Sequence, residues 1–387
     1  MSAGVRAGPA APPTQAAAPG AVPPAGIPVV YCTDLFHPHD DPDDHFDLAA
    51  LYAIPELHIK GVVLDQGQKQ LERPGRIPVS QMNWITGRDA PVAIGLAQRL
   101  SSPHDQALGQ PPQFQEGVKL ILRALREARA PVMIATAGSV RDVVAAFNRE
   151  PELFRAKAGK LLVFIGEASN TNFVEYNVGL DPQAYVGLMR SGLPVYWVPC
   201  FDGGLWQNRG HASFWQAKHA DLLRRASPAL VQYFIYALEK ETADSLAFLA
   251  GPVEPARRDR LFAGTRNLWC AAIFGVLADR WVARVGDSWA SVPRRQETGA
   301  SGGSGGEVFG FSEVELSITD TGIVQYGRGE ASRKVMRFEV RDQANYAPAM
   351  TAATADLLAR LPHSARASSA STPGTNGPKA APGSATQ

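Results

Sequence analysis

Carboxylate side chains dominate one short stretch of the sequence, residues 33–44, which reads TDLFHPHDDPDD. Its ionisable residues are five aspartates and two histidines: Asp34, Asp40, Asp41, Asp43, Asp44, His37 and His39. Like charges at this density repel one another, and a hard cation such as Ca²⁺ or Mg²⁺, which prefers oxygen ligands, would relieve that repulsion. A solvated acidic turn is the alternative interpretation. The stretch follows an apolar segment and precedes a helical pattern, which favours a binding site.

Short apolar runs alternate with helical patterns through the middle of the chain. We predict strands at residues 27–32, 59–64, 91–94, 132–135, 161–165 and 194–199, and helices at 47–54, 117–129, 140–147 and 182–191. Strands that are apolar throughout and separated by helices are typical of a parallel sheet covered on both faces. The pattern therefore predicts an α/β fold of three layers with a mostly parallel sheet.

The rest of the chain completes this organisation. Residues 230–249, 267–277 and 356–361 have helical patterns, and residues 314–318 and 335–340 alternate like a small antiparallel C-terminal addition. We expect a single domain over residues 27–361, an Ala/Pro-rich disordered leader at 1–26, a disordered tail at 364–387 and a flexible SGGSGG loop at 301–306. Parallel sheets bind ligands at the carboxyl ends of their strands, so the loops after these strands are the expected site.

Composition narrows the classes of function. The 387 residues are 45% hydrophobic and carry a net charge of +1, with no basic block, so we expect neither nucleic acid nor a membrane as a partner. No apolar run approaches the ~18 residues of a membrane span. The three cysteines, which are widely spaced, favour a reducing compartment, and we expect a cytoplasmic location.

Two segments together resemble the inosine/uridine-preferring nucleoside hydrolases. The first is the strand end at Asp34, followed by the pair Asp43-Asp44 and an apolar helix. The second is residues 166–182, GEASNTNFVEYNVGLDP, in which Glu175 and Asn177 precede an Asp-Pro. The resemblance implies a Rossmann-like nucleoside hydrolase fold, hydrolysis of the N-glycosidic bond of a ribonucleoside or related N-riboside, and bound Ca²⁺, with Mg²⁺ as an alternative. It also allows a homo-oligomer.

The resemblance implies roles for individual residues. Asp34 would be the catalytic base and a metal ligand. Asp44 and the backbone carbonyl near Ala137 would be further metal ligands. The residues implied to bind substrate are Asp43, Gln68, Glu175 and Asn177, with Asp65 as an alternative to Gln68.

The sequence departs from the family pattern at several places. Cys32 stands where the family has its first Asp, and the insertion before Asp43 carries His37, His39, Asp40 and Asp41. The late His-Asp pair of the family, whose Asp is a metal ligand, has no carboxylate counterpart within residues 267–270. Two alternatives follow: weaker binding of the metal, or substitution of this ligand by Asp40 or Asp41.

Two other functions stay open at this point. His37-Pro38-His39 after a strand is similar to the His-x-His of amidohydrolase barrels, although the remaining histidines do not follow later strands. A non-catalytic protein that binds nucleoside or ribose is the other alternative, because the late ligand is missing. Residues considered for stacking on the base are Trp84, Phe173, Trp206 and Trp269. Residues considered for protonating it are His211 and His219, although we expect a surface role for both.

Overall fold

The computed structural model describes residues 26–169, 173–294, 307–327, 329 and 332–361. Nine strands form one sheet: β1 Ile27–Thr33, β2 Leu57–Leu64, β3 Val92–Ile94, β4 Val132–Ala137, β5 Ala158–Phe164, β6 Val195–Val198, β11 Phe309–Ile318, β12 Val324–Tyr326 and β13 Arg333–Val340. Four more strands form two antiparallel pairs: β7 Trp215–Lys218 with β8 Thr265–Leu268, and β9 Arg280–Val285 with β10 Ser288–Pro293.

The order of strands across the large sheet is β12-β11-β13-β6-β5-β4-β1-β2-β3. All neighbours from β13 to β3 run parallel, whereas β11 is antiparallel to both β13 and β12. The predicted α/β class and mostly parallel sheet are therefore confirmed, and the antiparallel C-terminal strands extend the main sheet.

The helices follow the strands in the crossover pattern that parallel pairing requires. They are α1 Asp43–Tyr52, α2 Gly67–Gln70, α3 Arg76–Thr86, α4 Glu116–Glu127, α5 Arg141–Arg149, α6 Pro151–Lys157, α7 Tyr176–Leu180, α8 Pro182–Arg190, α9 His219–Leu223, α10 Pro228–Leu238, α11 Ser245–Ala250, α12 Pro255–Ala263 and α13 Tyr346–Ala359. Short 3₁₀ segments lie at Pro112–Phe114 and Ala271–Ala278.

Two hydrophobic layers cover the two faces of the sheet. Successive β1 residues alternate between them: Val29 and Tyr31 pack with α1 and α10, whereas Val30 and Cys32 pack with α4 and α5. This alternation follows from the two-residue period of a strand, and it explains why the strands are apolar on both sides.

The carboxyl ends of the central strands lie in one row. Thr33 of β1 is in register with Leu64 of β2 and with Ala137 of β4, and Ala137 is in register with Phe164 of β5. Because the loops that follow these residues start from one edge, their side chains meet above it.

Three predicted elements differ from the structure. Helix α1 begins at Asp43 and not at residue 46 or 47, so the Asp pair belongs to its first turn, where acidic side chains complement the helix dipole. The segment 230–249 forms α10 and α11, separated by a break in which Lys240 has a φ of 55°. Residues 267–277 begin at the end of β8 and continue into a buried 3₁₀ helix, Ala271–Ala278, so only the second part of the predicted helix is helical.

The expected leader, tail and SGGSGG loop lie outside the described residues, apart from Gly26. Among the described helices, none is long and apolar enough to cross a bilayer.

Candidate active site

A cavity of about 620 Å³ opens above the carboxyl ends of the central strands. Its volume falls within the roughly 300–1,000 Å³ typical of small-molecule sites. The lining includes six of the residues singled out from the sequence: Asp34, Asp43, Asp44, Ala137, Glu175 and Asn177. Segments that are more than 100 residues apart in the chain, at Asp34 and Glu175, therefore share one pocket.

Asp34 is the first residue after β1. Its backbone N–H donates to the carbonyl of Ala137 over 3.1 Å, which continues the β1–β4 ladder by one step. Burial, together with the nearby Asp65 and Glu175 carboxylates, raises the pKa of Asp34 to about 8. A positive charge in the cavity would lower this pKa and favour the carboxylate form.

Asp43 and Asp44 lie in the first turn of α1. The Thr33 hydroxyl donates to Oδ1 of Asp44 over 3.0 Å, which ties the helix to the end of β1. Burial raises the pKa of both aspartates well above the usual value, and neighbouring carboxylates, including Asp34 and Asp47, raise it further. The cavity therefore concentrates buried carboxyl groups, whose ionised form a cation would stabilise.

Glu175 and Asn177 form the opposite wall. The Glu175 carboxylate caps α7 by accepting the N–H groups of Asn177 and Val178, and it also accepts the N–H of Gly166 over 2.9 Å. The Asn177 side chain donates from Nδ2 to the carbonyl of Phe164 over 3.2 Å. Both side chains are thus fixed by the backbone at the end of β5, and Glu175 has a structural role beside its place in the cavity.

Gln68, which the resemblance implies to bind substrate, does not line the cavity: it belongs to α2 and lines a neighbouring surface groove, as does Gln66. Gln66 takes the nearer position. Its φ of 56° bends the chain after β2, and its Nε2 donates to Oδ2 of Asp34 over 3.3 Å. Tyr176 lines the cavity.

Asp65, the alternative to Gln68, lies behind this wall. Its carboxylate accepts the backbone N–H groups of Gln66 and Ser139 and faces the Arg141 guanidinium at 3.5 Å. Asp65 is 4% exposed and does not line the cavity, so it acts on Asp34 through its charge.

Asp40 and Asp41 lie at the rim of the cavity. Asp40 pairs with Lys69 and Arg73, and Asp41 pairs with Arg266 over 3.2 Å. Since these surface cations already neutralise both carboxylates, the structure does not favour either as the substitute for the missing late ligand.

Asp47 is a cavity residue that the sequence interpretation missed. It lies one turn into α1, is 1% exposed, and accepts the N–H of Ala271 over 2.9 Å at Oδ1. Burial raises the pKa of Asp47 to about 7, and the hydrogen bond from the Ala271 N–H partly offsets this effect. The sequence feature that indicates this residue is a carboxylate within an otherwise apolar helical pattern.

Aromatic rings form the outer part of the cavity. Phe173, Phe201, Trp206 and Trp269 line it, and the Phe201 centroid lies 5.5 Å from that of Trp206 and 5.9 Å from that of Trp269. Trp206 is 47% exposed at the mouth. Trp84, also a candidate from the sequence, packs instead against the core of the α1 face.

The sequence profile of the inosine-uridine preferring nucleoside hydrolases matches residues 38–250. That span exceeds half of the chain and contains most of the cavity residues described above.

The chain belongs to the inosine-uridine preferring nucleoside hydrolase family.

Individual nucleoside hydrolases are more distantly similar. The pyrimidine-specific ribonucleoside hydrolases RihA of Salmonella agona and Salmonella typhi are each 28% identical over 188 residues, which is 44% of this chain and 58% of the relative. The matched segment thus spans little more than half the length of these relatives.

Solved nucleoside hydrolase structures overlap most of the chain at low identity. The inosine-uridine preferring enzyme of Bacillus anthracis has a TM-score of 0.45 and 11% identity, over 86% of this chain and 100% of its own. The purine-preferring ribonucleoside hydrolase of Gardnerella vaginalis has a TM-score of 0.48 and 14% identity, over 86% and 99%.

Among the described residues of this nucleoside hydrolase family member, no histidine lines the cavity. Nε2 of His37 contacts the carbonyl of Glu241 at 2.6 Å, and neither His37 nor His39 lines the pocket. Together with the open sheet, this argues against an amidohydrolase barrel. His211 pairs with Asp202, and the expected surface role of His219 is wrong, because that ring is buried against Phe46.

The oxygen donors in the cavity are of the kind that hard divalent cations such as Ca²⁺ and Mg²⁺ prefer. Asp34, Asp44 and the Ala137 backbone are hard ligands, and the buried Oδ2 of Asp47 has no hydrogen-bond partner within the described part of the chain. No three His, Cys, Asp or Glu side chains among those residues are arranged, as they stand, to hold a metal ion. The donor set therefore fits a hard cation in chemical kind, and the carboxylates would have to close around it.

Proposed function

We propose that this protein hydrolyses the N-glycosidic bond of a ribonucleoside or related N-riboside. One observation carries the proposal: Asp34, Asp43, Asp44, Glu175 and Asn177 line a single cavity at the carboxyl edge of the sheet. Membership of the nucleoside hydrolase family supports the reaction class.

Cleavage of an N-glycoside requires a water nucleophile, stabilisation of a developing oxocarbenium-like charge, and departure of the base. A bound Ca²⁺ or Mg²⁺, held by Asp34, Asp44 and the Ala137 carbonyl, would lower the pKa of a water and orient it. Asp34 accepts the proton of the attacking water at its carboxylate. The C–O bond forms at the anomeric carbon as the C–N bond breaks, and the electron pair leaves with the base.

The remaining carboxylates suit the sugar. Asp43 and Glu175 present oxygens that accept hydrogen bonds from sugar hydroxyls, and Asn177 adds an amide. As carboxylates, Asp43 and Glu175 also stabilise the cationic sugar of the transition state. Electrostatic interactions of this kind are strong in a site from which water is excluded.

The aromatic rings at the outer part of the cavity suit the base. Trp206 and Trp269 offer faces on which a planar heterocycle can stack, a contact worth about 1–3 kcal/mol per base. The residues known to line the cavity include several carboxylates but neither Lys nor Arg. A phosphate would be repelled there, so we propose a nucleoside and not its 5′-monophosphate as substrate.

The test is an assay of free reducing sugar with a panel of ribonucleosides in the presence of calcium. Release from at least one nucleoside, with much slower release from its 5′-monophosphate, is the expected result. Absence of release from the whole panel by protein shown to be folded would contradict the proposal.

A non-catalytic protein that binds nucleoside or ribose is the second candidate. Cys270 favours this second candidate. This cavity residue belongs to the segment in which the family pattern has the late metal-binding Asp, and it supplies no carboxylate. Calorimetry beside the same hydrolysis assay separates the two: heat of binding without release of sugar would identify the binding protein.

A further inference from the structure

A buried carboxylate oxygen in the cavity lacks a partner. Asp47 is 1% exposed and lines the cavity, and its Oδ2 accepts no hydrogen bond from any residue that the structure describes. Leaving a buried carboxylate oxygen unsatisfied is costly, so such an atom in a ligand cavity points to a ligand that supplies positive charge.

The helix directs Asp47 toward the aspartate pair. Asp43 and Asp44 precede it by four and three residues, so all three side chains share one face of α1. They line the same cavity as Asp34, which reaches it from the end of β1.

Contacts on its other side hold Asp47 in place. The N–H of Ala271 donates to Oδ1 over 2.9 Å, and the neighbouring Cys270 is 2% exposed and also lines the cavity. A thiol is a weak hydrogen-bond donor and a soft ligand, which suits a hard cation poorly. The carboxylate that faces the cavity at this point thus comes from α1 and not from the segment after β8.

The other carboxylates at this end of the cavity already have cationic partners. Asp40 pairs with Lys69 and Arg73, and Asp41 pairs with Arg266. Neither is buried to the degree of Asp47, and using either for a cation would require breaking a surface ion pair.

We infer that Asp47 is a direct ligand of the divalent cation in this protein, in place of the carboxylate that the segment at Cys270 lacks. This inference rests on the proposed function for the cation itself. It adds a ligand from the second turn of α1, so that three aspartates of one strand end and one helix, Asp34, Asp44 and Asp47, bind the ion.

The test compares Asp47→Asn with a matched control. Asp142→Asn changes another buried aspartate that accepts a backbone N–H, that of Leu96, but Asp142 lies outside the cavity. Calcium affinity is measured by calorimetry on the full-length proteins without substrate. Circular dichroism and melting in the absence of metal check that both variants fold.

We expect Asp47→Asn to weaken calcium binding about tenfold or more, since even groups behind a metal ligand are worth roughly 10–100-fold in affinity. The calcium affinity of Asp142→Asn should be within about twofold of that of the wild type. Equal affinity of Asp47→Asn and the wild type, or no calcium binding by the wild type, would overturn the inference.

A second measurement uses the wild type alone and does not depend on the folding of a variant. Crystals soaked with MnCl₂ locate the ion by anomalous scattering. An ion in direct contact with an Asp47 carboxylate oxygen, at a distance of about 2.0–2.6 Å, is expected. An ion held by Asp34 and Asp44 with Asp47 beyond contact would refute the inference.

These results are distinguishable from failure of the proposed function. Calcium binding that depends on Asp47, without release of sugar from any nucleoside, would contradict the proposed hydrolase function but support Asp47 as a metal ligand. Release of sugar, together with a calcium affinity that Asp47→Asn does not change, would support the hydrolase function and contradict Asp47 as a metal ligand.

Discussion

The Gln66 side chain donates a hydrogen bond from Nε2 to Oδ2 of Asp34 over 3.3 Å, from a backbone position with a φ of 56°. This amide orients the proposed base from the loop after β2. The contact joins the segments that follow β1 and β2.

Gln66→Leu should therefore lower turnover about tenfold or more, because the Asp34 carboxylate loses the group that orients it. Gln68→Leu changes a second glutamine of the same groove, which does not hydrogen-bond Asp34, and as the matched control it should leave turnover unchanged. The measurement is kcat and KM for one nucleoside. Equal losses in both variants would show that the effect comes from disturbance of α2 and not from the contact.

Trp206→Ala should raise KM for a nucleoside roughly five- to 150-fold, corresponding to the loss of about 1–3 kcal/mol of stacking. Trp206 is half-exposed at the cavity mouth, so the free energy of unfolding should change little. Trp84→Phe, which alters a ring packed against the core, should leave KM unaffected. An unchanged KM in Trp206→Ala would remove this ring from the binding site of the base.

Glu175→Ala should destabilise the fold, because the carboxylate accepts three buried or partly buried backbone N–H groups. We expect a loss of about 2–3 kcal/mol in the free energy of unfolding, measured by urea denaturation. Glu175→Gln keeps one side-chain acceptor and should lose less. Equal stability of Glu175→Ala and the wild type would mean that these bonds do not hold α7.

Asp142 gives a pH dependence of stability. Burial, with the charge of Asp65, raises its pKa to about 7 in the folded protein, against 3.8 as its ordinary value. The folded state keeps the proton longer than the unfolded state, so this group's contribution to stability is present below pH ~4 and is lost as pH rises through about 7.

Asp142→Asn should consequently gain stability relative to the wild type between pH 5 and pH 8, by an amount on the order of 1 kcal/mol or more. Urea denaturation of both proteins across this range is the measurement. A difference in unfolding free energy that stays constant with pH would contradict the raised pKa of Asp142.

Much of the architecture follows from local pattern. Apolar runs such as residues 27–32 and 161–165 are strands because both of their faces are buried, and the edge that gathers Asp34, Ala137 and Glu175 follows from parallel pairing. The order of the sheet, with β13 between β6 and β11, depends on contacts distant in sequence and is not visible in any local run.

Two site residues show where the pattern fails. Gln66 and Gln68 both follow β2 within four residues, so the sequence does not distinguish them. In the structure the left-handed backbone at Gln66 directs its side-chain amide to Asp34. Asp47 lies within an apolar helix, where periodicity does not distinguish a side chain directed at a cavity from one directed at the core. The orientation of Asp47 depends on the packing of α1 beside the segment at Cys270, which is distant in sequence.

The most direct measurement for the proposed reaction is the release of free ribose from a ribonucleoside by the wild type and by Asp34→Asn, with calcium present and both proteins shown to be folded. We predict measurable release by the wild type and a loss of at least about 100-fold in Asp34→Asn, because the attacking water loses its base. Release by Asp34→Asn at the wild-type rate, or none by the wild type from any nucleoside, would contradict the account.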